Sequence, residues 1–273
     1  MEIIKKGDIH EVKFQYDYGD WEQWILLMSD EHYDSTTCDR KLLTRHHEEA
    51  KRLNAPIFKF GDIFDCCQGK GDPRAMKAAI RPEHCVDDYF DEIGRDAAKF
   101  YAKYDIAFVS PGNHEESVLK HRETNLTKNL AERLGCARGD YSGWLRFSFY
   151  NKDGAAKRKL DLYYNHEGGG NSPVSKGAIN TNRNGVNYNA DIYVTGHNHN
   201  RWEIELVSEG IDKMGNVKRK EQMHINTGTY QMKPIKDRQR WDSKYGQPNL
   251  GGVFLRFRVE GQSQKITTRA MLA

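Results

Sequence analysis

The chain has 273 residues, of which 37% are hydrophobic and 30% charged, and a formal net charge of +3. That length suits one large domain or two small ones, and a near-balanced charge by itself names no partner. No apolar run reaches membrane-spanning length, the start Met1-Glu2-Ile3-Ile4-Lys5-Lys6 lacks the apolar core of a secretory leader, and the five cysteines follow no disulfide or zinc spacing, so no membrane contact and free thiols in a reducing cytoplasm are expected.

Residues 1–23 show no clear period and read as an irregular lead-in with room for an edge strand. The continuous apolar run Trp24-Ile25-Leu26-Leu27-Met28 suits a strand buried on both faces. Asp39 to Leu53 then reads as a helix, with Asp39 as N-cap and Pro56 beyond its end. Pro56 to Phe60 is a second strand. Pro73 opens a short helix through Ile80, and Pro82 a longer one through Tyr104. Asp105 to Ser110 is a third strand, and Glu115 to Leu134 a helix closed by Gly135. Strand and helix thus alternate three times, which argues an α/β arrangement with crossovers.

The second half is richer in hairpins. Trp144–Tyr150 and Lys159–Tyr164 flank the turn Asn151-Lys152-Asp153-Gly154. Asp191–Thr195 is a short buried strand. Arg201–Val207 and His224–Tyr230 read as a further hairpin, and Leu250–Val259 as a last strand. Two mixed sheets packed face to face with helices outside accommodate both halves. A single domain over 1–273 is expected, with a helical insertion at about 66–104 as a candidate lid and a hairpin-rich part at 200–273.

Five short polar clusters carry the chemistry, four of them at strand ends: Asp30-Glu31-His32, Gly61-Asp62-Ile63-Phe64-Asp65, Gly112-Asn113-His114-Glu115, Asn165-His166 and Gly196-His197-Asn198-His199-Asn200. Mixed oxygen and nitrogen ligands of this kind suit first-row divalent metals, and the lack of cysteine in all five argues against structural zinc. A pair of metals needs one bridging anion and several ligands on each side. Asp62 is the natural bridge. Asp30, His32 and one late histidine would complete one metal; Asn113, His166 and the other late histidine would complete the second. His114 is left over beside them and suits a general acid, with Asp65 fixing its tautomer.

The ordered series Asp-x-His, Gly-Asp-x-x-Asp, Gly-Asn-His-Glu, His, Gly-His-x-His, spanning residues 30–199, resembles that of the calcineurin-like metallophosphoesterase superfamily. The resemblance implies a four-layer αββα sandwich with two divalent ions at the strand ends, manganese first among them and iron, zinc, nickel or magnesium as alternatives. It assigns Asp30, His32, Asp62 and His199 to the first metal, and Asp62, Asn113, His166 and His197 to the second. His114 resembles the catalytic histidine and Asp65 its partner. Where the protein phosphatase branch carries substrate-binding arginines, this chain has Cys66-Cys67 and Ser110-Pro111, which argues against that branch. Gly-Asp-Ile-Phe-Asp looks more like the nuclease and phosphodiesterase branches, although those usually carry Asp where Glu115 stands. The compact length resembles bacterial and phage-encoded members, acting in the cytoplasm or that of a host.

The expected activity is therefore phosphoester hydrolysis, preferentially of diesters in nucleotides or nucleic acid. A phosphomonoesterase and a non-catalytic scaffold of the same fold are the alternatives. Asn200, Arg201 and Gly169, in the Gly168-Gly169-Gly170 loop, are candidate substrate contacts. Basic residues crowd Lys213, Lys218, Arg219, Lys220, Lys233, Lys236, Arg238, Arg240 and Lys244, a solvated face or a phosphate-backbone surface. Tyr33, Phe64 and Tyr230 are candidates for base stacking, although aromatics at strand ends more often belong to the core. Asp34, His46 and His47 carry no motif; the two histidines, in mid-helix, read as solvent-facing or packed, and a place behind His32 is the alternative for Asp34.

Overall fold

The computed structural model describes residues 1–16, 21–66, 79–152, 154, 156–167, 172, 174–232, 247–260 and 265–273. The lead-in holds the edge strand allowed for, β1 (Glu2–Lys6), and a second strand that was not expected, β2 (Ile9–Tyr16), in a hairpin turned at Gly7. The signal lies in Val12, Phe14 and Tyr16, which alternate into the core. β3 (Glu22–Met28), α1 (Arg40–Arg52) and β4 (Ile57–Phe60) follow as expected, and the Asp39 side chain caps α1 by accepting from the Leu42 amide at 2.9 Å.

The expected helix from Pro82 is one 3-10 turn, Pro82–His84, followed by α2 (Tyr89–Tyr101). The lid reading splits: α2 buries Ile93, Ala97 and Tyr101 in the core, whereas residues 67–78 lie outside the described residues. After β5 (Ile106–Ser110), the single helix expected over 115–134 is two, α3 (Asn113–Arg122) and α4 (Leu126–Leu134). Glu123 turns left-handed at φ 51° and ends the first, and Asn125 caps the second by accepting from the Lys128 amide at 2.9 Å. β6 (Ala137–Arg138) is short; β7 (Ser142–Asn151) and β8 (Ala156–Glu167) form the expected hairpin.

α5 (Asn180–Asn187) leads to β9 (Ile192–Gly196), and β10 (Arg201–Ile211) pairs with β11 (Val217–Thr227) over a longer hairpin than expected. β11 pairs with β9 only from Met223 onward, so the earlier part of the ribbon extends past β9, and Val207, Ile211 and Val217 stand exposed on it. β12 (Val253–Glu260) has a partner that was not foreseen, β13 (Lys265–Leu272).

The strands build two mixed sheets, of order β13-β12-β3-β4-β5-β6 and β1-β2-β7-β8-β9-β11-β10. Alternation along each strand divides the apolar residues between two layers. Ile25 and Leu27 of β3 face Phe147, Leu162 and Val194 between the sheets, while Leu26 and Met28 face Leu43, Ile93 and Leu130 under the helices. The seven-stranded sheet has a thinner cover, Tyr163, Ala190 and Tyr193 with Trp144 and Tyr188, and α5 beside Gln222. β3, β4 and β5 run parallel, as do β8 and β9. Their C-terminal ends, where an open α/β sheet presents its ligand crevice, carry all five polar clusters.

Candidate metal centre

The loops after β3 and β4 are laced together by main-chain bonds: Asp30 N–H to Gly61 O at 3.0 Å, His32 N–H to Asp62 O at 3.1 Å and Tyr33 N–H to Ile63 O at 2.8 Å. The loop after β5 joins them through the start of α3, whose His114 amide donates to Asp62 Oδ1 at 3.0 Å. A helix N-terminus thus faces a buried carboxylate, where its dipole favours negative charge. Gly112 makes this approach feasible, since a Cβ there would lie 2.2 Å from Asp62 Oδ1.

Two groups of side chains converge across the sheets. Asp30, His32 and His199 form one: His199 Nε2 lies 3.2 Å from Asp30 Oδ1 and 3.3 Å from His32 Nε2. Asp62, His166 and His197 form the other, with His166 Nε2 3.1 Å from Asp62 Oδ2 and His197 Nδ1 2.8 Å from Asn113 Oδ1. His166 Nε2 is also 3.9 Å from Asp30 Oδ1, so the groups share an edge. All seven expected metal ligands therefore meet in one place.

These atoms fit divalent metal ions on three counts. His166 Nδ1 donates to the Phe60 carbonyl at 2.8 Å and His32 Nδ1 to Asp65 Oδ1 at 2.9 Å, which turns both Nε2 atoms toward the cluster. Asp30 Oδ1 and His166 Nε2 are buried without a well-aligned hydrogen bond among the described residues. Finally, Asp30, His32, Asp62, His197 and His199 all hold positive φ, between 48° and 70°. Left-handed backbone at a non-glycine residue costs of order 1–3 kcal/mol, and such outliers cluster at functional sites.

Without metal the groups compensate one another as ions. Burial opposes charge on His32, but its bond to Asp65 and the nearby carboxylates outweigh this and raise it to about 9. Burial likewise opposes charge on His166, yet Asp62 and Asp30 raise it to about 10. Asp62 is held well below the usual carboxylate range because the surrounding imidazoles outweigh its burial. His197 moves the other way, lowered by burial and by the charge on His166.

His114 lies at the rim, its Nε2 3.7 Å from Asp62 Oδ2. Its Nδ1 donates to the main-chain carbonyl of Asp65 at 2.5 Å, whereas the Asp65 carboxylate is 3.7 Å away and instead holds His32. Asp65 thus stands beside the expected histidine, but its carboxylate bonds to a different one. Asp34 does not take up its alternative place behind His32. It accepts from the amides of Asp65 and Cys66, at 2.6 and 3.0 Å, and from the Tyr89 hydroxyl, so it shapes the loop rather than His32.

Of the candidate substrate contacts, Asn200 folds back on Asn198, its amide donating to Asn198 Oδ1 and its Nδ2 to the Asn198 carbonyl, both at 3.0 Å. The Arg201 guanidinium donates to the Ala273 carbonyl. Gly169 lies outside the described residues, as do 233–246 with five of the nine basic residues. Of the remainder, Arg219 pairs with Glu209 and Lys218 approaches Asp212 on the exposed ribbon. Tyr33, Phe64 and Tyr230 are at most 1% exposed and belong to the core, not to a stacking surface.

One structural residue escaped the sequence reading. Glu115, buried, accepts from the amides of Gly112, Phe64 and Asp62 at 2.8, 2.8 and 3.1 Å and so fastens α3 to the loop after β4. Burial, with Asp62 nearby, raises its carboxyl to about 7. The signal was present: Glu three residues after the helix-capping Gly112 is half of a capping box.

Solved phosphoesterases are among the structures this chain resembles. A metallophosphoesterase from Sphaerobacter thermophilus aligns over 91% of this chain and 87% of its own, with 14% identity and a TM-score of 0.38. A predicted phosphoesterase from Streptococcus pneumoniae covers 93% and 99%, with 10% identity and a TM-score of 0.33. GAP50, described as the anchor in the inner membrane complex of Plasmodium, covers 92% and 84%, with 13% identity and a TM-score of 0.42. No family model matches the sequence, and no curated protein matches it. At such low identity and TM-score, none of these likenesses fixes what this chain does.

Proposed function

We propose that this chain is a metal-dependent phosphoesterase of the calcineurin-like type, with a preference for phosphodiesters of nucleotides or nucleic acid. The observation that carries the reading is the shared edge of the two ligand groups, with His166 Nε2 3.1 Å from Asp62 and 3.9 Å from Asp30, and an accessible imidazole alongside. Asp30, His32, Asp62 and His199 would hold one divalent ion, manganese being the first choice, and Asp62, Asn113, His166 and His197 a second. When bound, such ions supply Lewis acidity toward phosphate oxygens and an activated water.

The protein's own groups do the rest. Asp62 would serve both ions. With its Nδ1–H committed to the Asp65 carbonyl, His114 carries its exchangeable proton on Nε2, on the Asp62 side of the ring, from where it can pass to the leaving oxygen. The diester preference rests on sequence positions: Cys66-Cys67 and Ser110-Pro111 stand where arginines would grip a phosphate monoester dianion. Rates on bis(p-nitrophenyl) phosphate and p-nitrophenyl phosphate with Mn2+ test it. Faster turnover of the diester is expected; faster turnover of the monoester would make the chain a phosphomonoesterase. Hydrolysis of neither, with the ions bound, would leave a scaffold.

A further inference from the structure

Behind the candidate centre, on the helix side of the six-stranded sheet, lies a charged network with no part in the chemistry above. Lys59 interrupts the apolar strand Ile57-Phe58-Lys59-Phe60 and is 0% exposed, as is Glu31. Phe58 and Phe60 point between the sheets, and alternation turns Lys59 toward the helices. Its ammonium donates to Glu31 Oε1 and, at 3.1 Å, to His47 Nε2, and it sits 3.9 Å from the centre of the Tyr101 ring. The Tyr101 hydroxyl donates to the other oxygen of Glu31. His47 gives its Nδ1–H to the Leu43 carbonyl at 2.8 Å, which leaves Nε2 as the acceptor that Lys59 needs. Burial, with Lys59 alongside, holds His47 well below its usual range, so it stays neutral. α1, α2, β4 and the loop after β3 each contribute one member, and the four close on one another.

Stability alone does not account for this arrangement. Two full charges are removed from water, and apolar side chains of similar size fill such a space as well or better. What the network does hold is a particular residue. Glu31 stands between Asp30 at φ 52° and His32 at φ 48°, two left-handed positions in a row broken only by itself. Lys59 stands on the strand that runs on to Asp62, also left-handed at φ 49°. One ion pair therefore ties the two strained turns from behind, on the side away from the cluster.

We propose that the Lys59–Glu31 pair, closed by Tyr101 and His47, is a positioning device that holds Asp30 and His32 in the backbone conformation from which they reach a divalent metal. The proposal rests on the metal reading above and assigns these four residues no contact with substrate.

The test separates packing from positioning by comparing metal-free thermal stability with Mn2+ affinity measured by calorimetry. Lys59→Met strands the Glu31 carboxylate, and both quantities are expected to fall. The triple variant Glu31→Met/Lys59→Met/Tyr101→Phe refills the space without charge; it is expected to recover much of the metal-free stability yet to bind Mn2+ about 10-fold or more weakly than wild type. Tyr101→Phe alone, which keeps the Lys59–Glu31 pair and removes one hydrogen bond, is expected to weaken Mn2+ binding severalfold. Wild-type Mn2+ affinity in the triple variant would overturn the proposal and reduce the network to core filling. A wild-type chain that takes up no Mn2+ would overturn the metal reading, and this proposal with it.

Discussion

Asp65 serves two imidazoles with two different groups: its carboxylate holds His32 at 2.9 Å, and its main-chain carbonyl holds His114 at 2.5 Å. Substitution separates them. His114→Asn is expected to keep the full metal complement and lose ~10²–10⁴-fold in kcat. Asp65→Asn keeps the carbonyl, and with it the His114 tautomer, but removes the charge behind His32; Mn2+ affinity is expected to fall ~10–100-fold. Metal analysis and calorimetry, set beside kcat at saturating Mn2+, check both. If Asp65→Asn bound Mn2+ normally and lost only kcat, its carboxylate would have to be reassigned to His114.

At the scale of elements, the loops after β3, β4 and β5 meet so closely that small residues are obligatory. Gly112→Ala would drive a methyl group against both Asp62 Oδ1, at 2.2 Å, and the Asp62 amide, at 2.4 Å. Because main chain is involved, side-chain rotation cannot relieve it. The expected result is a loss of bound metal out of proportion to the loss of helix content, read by metal analysis and circular dichroism on one sample. The same loops explain what could be read in advance. The residues that converge could be picked out in advance because most of them sit at the end of an apolar run. The break between α3 and α4 could not, since Glu123 adopts a left-handed turn that glutamate rarely takes. Nor could β13: its Lys265, Thr267 and Arg269 give little apolar alternation, and among the residues of known burial only Ile266 is buried. Lys59 and His47 were hidden for the opposite reason, because each looks like a surface residue until its partners are known.

For the molecule as a whole, two histidines outside the cluster set a pH response. Burial lowers His224, stacked on Tyr193 at 4.2 Å, to about 4, and burial followed by the charges of Arg45 and Arg201 lowers His46 to about 4. A folded-state pKa below the unfolded value of about 6.5 means that the folded chain resists protonation. The stabilisation is complete above that pH and lost as pH falls toward 4. Each group is worth ~2–3 kcal/mol across that window. His224→Phe preserves the ring on Tyr193, and its stability relative to wild type should rise as pH falls from 7 to 5 in denaturant titrations with EDTA present. A difference independent of pH would mean that His224 takes up its proton as readily in the fold as in the unfolded chain.

The two sheets also impose an order of events. Asp30, His32 and Asp62 come from one sheet and His166, His197 and His199 from the other, far apart along the chain. Neither sheet alone can gather a full set of ligand atoms, so the centre comes into being only once the sandwich has closed. An ion that arrives then cannot hasten assembly; it can only hold the two halves shut. Mn2+ added during refolding should leave the folding rate unchanged and slow unfolding. The metal would act as a latch on a finished structure, and its loss as the first step in taking that structure apart.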